Sequence, residues 1–368
     1  MTEQASSADL AKVVNLGDFE PLARERMAGP AFDYVAGGAW DEVTLEENAE
    51  AWRRFRFVPR VLRDVRELDV SGRFLGRQSA LPIAIAPMAA QVMAHPDGEA
   101  AMVAGAAAAG IPFCLSTSSS LNLEDVAAAA PDAERWFQLY VIRDFDYSRT
   151  LVERAAAAGY GAIVLTVDLP VLGFRERDRR SGFSLPAMPH MEAAGDAPAG
   201  RYGRLETERG SGLTWETIAD IRSWSSLPLV LKGILSAADA RIAAEAGVDA
   251  IVVSNHGGRQ LDRSVTSAEV LADVVDAVDG RCEVWADGGI RRGLDVATAL
   301  ALGATGVLVG RPFYWALAAG GPAGVERAVE ILRTELELIL PLLGCVSMAE
   351  LDRELVRGPS MPSGTATA

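Results

Sequence analysis

From Leu81 onward the chain alternates short apolar or β-branched runs with Ala-rich segments of helical period. Eight runs read as strands, over 81–87, 112–116, 135–140, 162–168, 227–233, 250–255, 282–289 and 306–311. They are near-continuously apolar rather than alternating. That is the pattern of strands covered on both faces, as in a parallel sheet clothed by helices. Between them the spacing predicts helices over 96–109, 146–158, 236–246, 267–278 and 293–302. Ser236 followed by Asp239 is a start signal, and Gly110, Gly159, Gly247 and Gly303 are stops. Eight strand–helix units are the number that closes a barrel, whereas an open doubly wound sheet seldom needs so many. The predicted fold class is therefore α/β, a (β/α)8 TIM barrel spanning 81–345.

Residues 1–80 lack this alternation and predict an appended helical cap, with helices around 21–27, 30–36 and 44–52 and a turn-rich lead-in. After Asp168, roughly 45 residues of weak periodicity precede the helix-like TWETIADIRSW, far beyond the usual connection length. This loop follows the fourth strand, on the face where barrel enzymes place catalysis. Its polar stretch MEAAGDAPAGRYGRLETERG suits a mobile lid over about 172–213. The C-terminal tail is placed at 346–368, and its end from Gly358, GPSMPSGTATA, reads as disordered.

Composition narrows the function. The 368 residues, 49% hydrophobic, can bury a large core without staples. Cys114, Cys282 and Cys345 form no CxxC pair, so neither a disulfide framework nor a zinc site is indicated. Metal-ligand clusters of the HxxE or HxH type and glycosidase-like paired carboxylates are also absent from the sequence, so no metal is expected. Fifty acidic against 35 basic residues give a net charge of −15, which argues against nucleic acid and against an electrostatic membrane tether. With no apolar stretch of membrane-spanning length and no secretory leader pattern, the chain reads as cytoplasmic.

The polar residues concentrate where the predicted strands end. They are Ser116, Gln138 with Tyr140, Thr166 with Asp168, Lys232, and Ser254 with His256 and Arg259. The last two strands end in Asp287, Gly289 and Arg291, and in Gly310 and Arg311. Glycine pairs beside arginines at the ends of strands 7 and 8 suit a phosphate, held by backbone N–H groups and a bidentate guanidinium. No GxxxxGK[ST] motif, and no GxGxxG following a strand, is present, which points to a mononucleotide-type cofactor or a phosphorylated substrate. In SNHGGRQLD, His256 can act as a base near neutrality and Arg259 can clamp a carboxylate. Lys232 in an apolar strand needs a partner. An anion, a cofactor edge, a neighbouring carboxylate and a Schiff base all remain open. Asp168 can hold the second nitrogen of His256 or cap a helix.

Together these residues resemble, from about Leu16 to Cys345, the FMN-dependent α-hydroxy-acid oxidase/dehydrogenase family. SNHGGRQLD is the most specific match. FDYVAGGAWDEVTLEEN, FQLYVIRD, LTVDLPVLGFRERD, LKGIL and DGGIRRGLDVATALALGATGVLVGRP follow in family order. The resemblance implies FMN as cofactor, a small (S)-2-hydroxy acid as substrate, O2 or another electron acceptor, and a homotetramer. It implies that His256 is the base, oriented by Asp168. Arg175, Arg259 and Tyr34 would bind the substrate carboxylate, and Tyr140 the hydroxyl or carboxylate. Lys232 would neutralise charge on the reduced ring, Pro87, Met88 and Ala89 would face it, and Ser116, Gln138 and Thr166 would bond it, with Ser254 beside them. Asp287 would hold the ribityl chain, and Gly289, Arg291, Gly310 and Arg311 the phosphate.

Three departures bear on the substrate. Ser118 stands where the glycolate-oxidase-like pattern has Trp, Met88 where Thr is common, and Phe174 where a second Arg is frequent. A wider, more apolar pocket favours an aromatic, mandelate-like acid, and the sequence looks closest to the 4-hydroxymandelate oxidase branch. The alternatives are a dehydrogenase using a quinone, an FMN barrel isomerase of the type 2 isopentenyl diphosphate isomerase kind, and a flavin-binding scaffold without turnover. The carboxylate-clamping set argues against the isomerase.

Overall fold

A computed structural model describes residues 7–141, 145–192 and 213–359. Eight parallel strands close into a barrel in chain order. They are β1 Ile83–Ile85, β2 Phe113–Ser116, β3 Arg135–Leu139, β4 Ala162–Thr166, β5 Leu229–Ile234, β6 Ala250–Val253, β7 Glu283–Ala286 and β8 Gly306–Val309. β8 pairs back onto β1 through Val307 and Ile83. Each strand lies inside its predicted run, except that β5 continues one residue further.

The five predicted barrel helices are present as Gly98–Ala109, Phe145–Ala157, Ala237–Glu245, Ser267–Val278 and Gly293–Ala301. Ser236 caps its helix by accepting from the backbone N–H groups of Ala238 and Asp239. The predicted stop glycines fall one or two residues past their helices. Two helices of the barrel lie outside the pattern-based reading. Leu123–Ala129 is a short helix between β2 and β3. Arg311–Leu343 follows β8 and is broken at Gly320 and Gly321, where Pro322 restarts it at a position that needs no N–H.

Strand periodicity decides what fills the barrel. Ala84, Cys114, Trp136, Val164, Val230, Val252, Trp285 and Leu308 point inward and form a fully buried cluster. The N-terminal end is plugged by Phe74, carried on a hairpin of Gly72–Phe74 and Arg77–Ser79. Its two-residue turn has positive φ at Leu75 (51°) and Gly76 (77°), as a twist-matched hairpin requires. Phe74 meets Trp136 and Trp285 edge-on, at 5.4 and 5.2 Å between ring centroids, and the two indoles stack at 4.9 Å. Both indole N–H groups are satisfied at 2.9 Å by Glu134 and Glu283, each two residues upstream in the chain.

The N-terminal segment crosses the other end. Its helices Phe19–Arg26, Gly29–Ala36 and Val43–Arg53 correspond to the three predicted there. The last of these locks onto the loops after β6 and β7. Asn48 and Asn255 exchange amide hydrogen bonds at 3.0 and 2.7 Å, and the Trp52 indole donates to Gly288 O at 2.8 Å. Near the C-terminus Val356–Arg357 pairs antiparallel with Arg56–Phe57. The predicted disordered tail lies, from residue 360, outside the described residues.

The long connection after β4 contains helices Glu176–Ser181 and Pro189–Glu192. Its outgoing limb docks on the cap, where Trp40 N–H donates to Phe174 O at 2.8 Å. Arg177 pairs with Glu42 there. About half of the stretch read as a mobile lid, 193–212, falls outside the described residues. No helix among those described is long and apolar enough to cross a membrane.

Candidate active site

One step of strand periodicity beyond the apolar layer, the inward positions turn polar: Ser116, Gln138, Thr166, Lys232, Ser254 and Asp287. They are knitted across strands. Ser116 Oγ donates to Gln138 Oε1 at 3.0 Å, and Gln138 Nε2 donates to Thr166 Oγ1 at 2.9 Å. The Lys232 ammonium donates to Ser254 Oγ at 2.9 Å and pairs with Asp287 Oδ2 at 3.0 Å. Burial alone would lower the Lys232 pKa, but Asp287 and Asp168 outweigh it and raise it. The geometry shows one of the options left open by sequence, a charged lysine paired with a neighbouring carboxylate.

The loop after β6 takes a shape few sequences can adopt. His256, Gly257 and Gly258 all have positive φ, at 58°, 63° and 74°. A Cβ on Gly258 would lie 2.6 Å from Leu45 N, so the two glycines let the cap approach and turn the chain. The strained His256 backbone is held by two bonds: its own N–H donates to Ser254 Oγ at 3.1 Å, and Gly258 N–H to Asn255 Oδ1 at 3.2 Å.

This turn sets the His256 ring against Asp168, with Nδ1 2.9 Å from Oδ1. A carboxylate only accepts, so Nδ1 carries the proton and Nε2, 3.4 Å from the Tyr140 hydroxyl, is the basic nitrogen. Burial pushes the His256 pKa down, and Asp168 raises it without cancelling that effect. Burial would raise Asp168, but the His256 ring and Lys232 hold it below the ordinary carboxylate range. The resting pair is thus a neutral imidazole on a charged aspartate.

Opposite charges meet the cap. The Arg259 and Arg175 guanidinium carbons lie 4.9 and 5.8 Å from the Tyr34 ring centroid. Arg259 NH1 donates to the Tyr34 and Gly37 carbonyls at 2.7 Å each. Arg311 donates to Val35 O, Gly257 O and Gly37 O at 2.9, 3.0 and 3.0 Å. Burial, then the charges of Arg259, Arg291 and Arg175, push the Arg311 pKa well down. So many cations in one cleft of an acidic protein call for anionic ligands.

A cavity of about 1190 Å³, the open solvent at its mouth included, is lined by sixteen of the nineteen site residues singled out from sequence. They are Tyr34, Pro87, Met88, Ala89, Ser116, Tyr140, Thr166, Arg175, Lys232, His256, Arg259, Asp287, Gly289, Arg291, Gly310 and Arg311 on its surface, with Asp168 immediately behind His256. Gln138 and Ser254 stand behind the surface as well, bracing Thr166 and Lys232. The expected roles of Asp287 and Arg311 acquire structural partners, respectively Lys232 and the cap carbonyls.

The residues fit a phosphorylated, hydroxyl-bearing cofactor. Asp287 Oδ1 is buried without a hydrogen-bond partner, an acceptor suited to a ribityl hydroxyl. Arg291 is half-buried at the same wall, its pKa lowered by desolvation, as an arginine awaiting an anion would be. Sequence reasoning missed Tyr314, Leu172 and Leu185, which also line the cavity. Tyr314 comes from the helix after β8 and donates to Ala90 O at 2.8 Å. No local pattern marks it, whereas Leu172 lies inside a motif already singled out.

Comparison with known proteins agrees with this geometry. The FMN-dependent dehydrogenase family model matches residues 23–358. The chain is 46% identical to L-lactate oxidase of Nostoc sp. over 92% of its length and 96% of the relative's. It is 45% identical to 4-hydroxymandelate oxidase of Amycolatopsis orientalis, covering 92% and 97%. A crystal structure of mandelate oxidase with (S)-4-hydroxymandelic acid superposes with a TM-score of 0.89, at 44% identity, covering 94% of this chain and 98% of the other. With FMN as its cofactor and 2-hydroxy acid oxidases as its relatives, the chain belongs to the FMN-dependent dehydrogenase family.

Proposed function

We propose that the protein oxidises a bulky, mandelate-like (S)-2-hydroxy acid to its 2-oxo acid, with O2 as electron acceptor. The observation that carries this reading is the pairing of His256 with Asp168 at 2.9 Å in the same cleft as Arg175, Arg259 and Tyr34. Bound FMN supplies the two-electron acceptor.

Every other part falls to the chain. Arg259 and Arg175 bind the substrate carboxylate, and Tyr34 adds a hydrogen bond. The Tyr140 hydroxyl orients the substrate hydroxyl next to His256 Nε2, which takes a proton. Asp168 keeps that nitrogen unprotonated at rest and stabilises the ring once charged. Lys232, kept cationic by Asp287, offsets negative charge gained during turnover. Arg291 and Arg311, with the backbone at Gly289 and Gly310, hold the cofactor phosphate, and the spare oxygen of Asp287 takes a ribityl hydroxyl.

Support for a bulky substrate comes from the small or apolar side chains of Ser118, Leu172, Leu185 and Met88 in the cavity lining. Similarity to 4-hydroxymandelate oxidase points the same way. A homotetramer belongs to this proposal on the strength of the family resemblance. Oxygen consumption with glycolate, lactate and mandelate tests the reading: mandelate is expected to have the highest kcat/KM. A preference for glycolate contradicts the assigned substrate, and turnover only with a quinone contradicts the acceptor.

A further inference from the structure

His190 takes no part in the chemistry above, yet it is one of three histidines in the chain and is fully buried. It sits in the returning limb of the loop after β4. Its Nε2 accepts the Leu123 N–H at 3.1 Å, and its Nδ1 lies 3.2 Å from Ser119 Oγ. The Ser119 hydroxyl donates to Leu121 O at 2.7 Å. These partners fix the tautomer. The amide can only donate, so Nε2 is bare, and the serine proton is spent on Leu121, so Nδ1 carries the hydrogen and donates to Ser119. A second proton on the ring would set two N–H groups against each other at Leu123.

The surroundings hold the ring in place. It meets Phe137 of β3 edge-on at 5.7 Å, beside the buried pair Met188 and Met191. One imidazole therefore ties the loop after β4 to the loop after β2. Both loops reach the cavity, the first through Leu185 and the second through Ser118, the neighbour of Ser119. Upstream, Phe183 stacks on Tyr34 at 4.7 Å, so the same limb also touches the carboxylate-binding corner.

Resting on the functional reading above, we propose that His190 is a positioning residue for substrate selection. As the neutral imidazole it fixes Leu185 relative to Ser118 and so sets how bulky a 2-hydroxy acid side chain the cavity takes. Burial and then Arg154 depress its pKa to about 4, in keeping with the neutral ring. The titratable groups on the packed elements are Glu124 and Arg154, bonded to each other at 2.8 Å through both oxygens, together with Tyr147 and Tyr160.

The test compares FMN-loaded parent enzyme, His190→Ala and His190→Gln, whose amide oxygen can replace Nε2 as acceptor for Leu123. Two readouts are taken: amide hydrogen exchange over residues 183–192, and the ratio of kcat/KM for (S)-mandelate to that for glycolate. In the alanine variant, exchange is expected to speed up about tenfold. The kcat/KM ratio should shift by about tenfold, through KM, with kcat within about twofold. The glutamine variant should recover most of both. An unchanged ratio, or an equal fall in kcat for every acid, overturns the proposal, as does unchanged exchange. If the parent oxidises no 2-hydroxy acid, the functional reading fails and takes the selection claim with it, while the exchange data still report the anchor separately.

Discussion

At the N-terminal end of the barrel, Trp136 and Trp285 stack beneath Phe74 with every polar atom of the trio satisfied. Two residues along those same strands stand Gln138 and Asp287, one in a hydrogen-bond relay and the other with a buried oxygen that has no partner. The first layer meets each rule of good packing. The second breaks several: a buried lysine–aspartate pair, several crowded guanidinium groups and a histidine at φ 58°. Strand periodicity places the two layers side by side, so the apolar one can supply the stability that the polar one lacks. Ligand binding then explains the violations, because an anion and a hydroxyl-rich chain complete what the protein leaves unmatched.

Substitutions can break this separation in either direction. His256→Ala has the largest expected effect. Flavin reduction by substrate should slow by about 10³-fold, while FMN still binds and thermal stability stays near that of the parent. Stopped-flow bleaching and a melting curve check both halves. Trp285→Ala should do the reverse, costing about 3–5 kcal/mol in unfolding free energy by opening a cavity in the sealed layer. Denaturant titration measures the loss, and KM in the surviving folded enzyme should barely move. Arg259→Lys replaces a fork by a point charge and should raise KM about tenfold, equivalent to about 1.4 kcal/mol, with a smaller change in kcat.

The smallest effect is on the pH profile. His256 works as the neutral base, so kcat/KM falls as pH drops through its pKa. Because burial holds that pKa below the ordinary value, the plateau should persist below about pH 6.5. Asp168→Asn removes the charge that raises it, so the acid limb should move to still lower pH as the maximal rate declines.

Much of the polar layer was legible because it follows from local pattern. Once the eight runs were recognised as strands, the residue two beyond the last apolar inward position had to reach the rim, which located Ser116, Thr166 and Lys232. SNHGGRQLD carried its own geometry, since its two glycines provide the left-handed backbone that aims His256. Partnerships between distant strands were not legible. Nothing near Lys232 announces Asp287, because they meet only when β5 and β7 curve around one barrel. Tyr314 reaches the cavity from the helix after β8, and His190 docks the returning limb against Ser119 and Leu123. Both depend on closure of the whole molecule, which neither hydrophobic period nor capping signals encode. The loop after β4 illustrates the limit: weak periodicity and polar composition implied a mobile lid, yet His190 within it is buried and bonded at both ring nitrogens.

Anaerobic mixing of the FMN-loaded enzyme with (S)-mandelate tests the central claim most directly. Complete bleaching of the flavin absorption, with formation of the 2-oxo acid and no comparable bleaching by (R)-mandelate or in His256→Ala, is the predicted result. A flavin that stays oxidised with mandelate, lactate and glycolate alike would contradict the account.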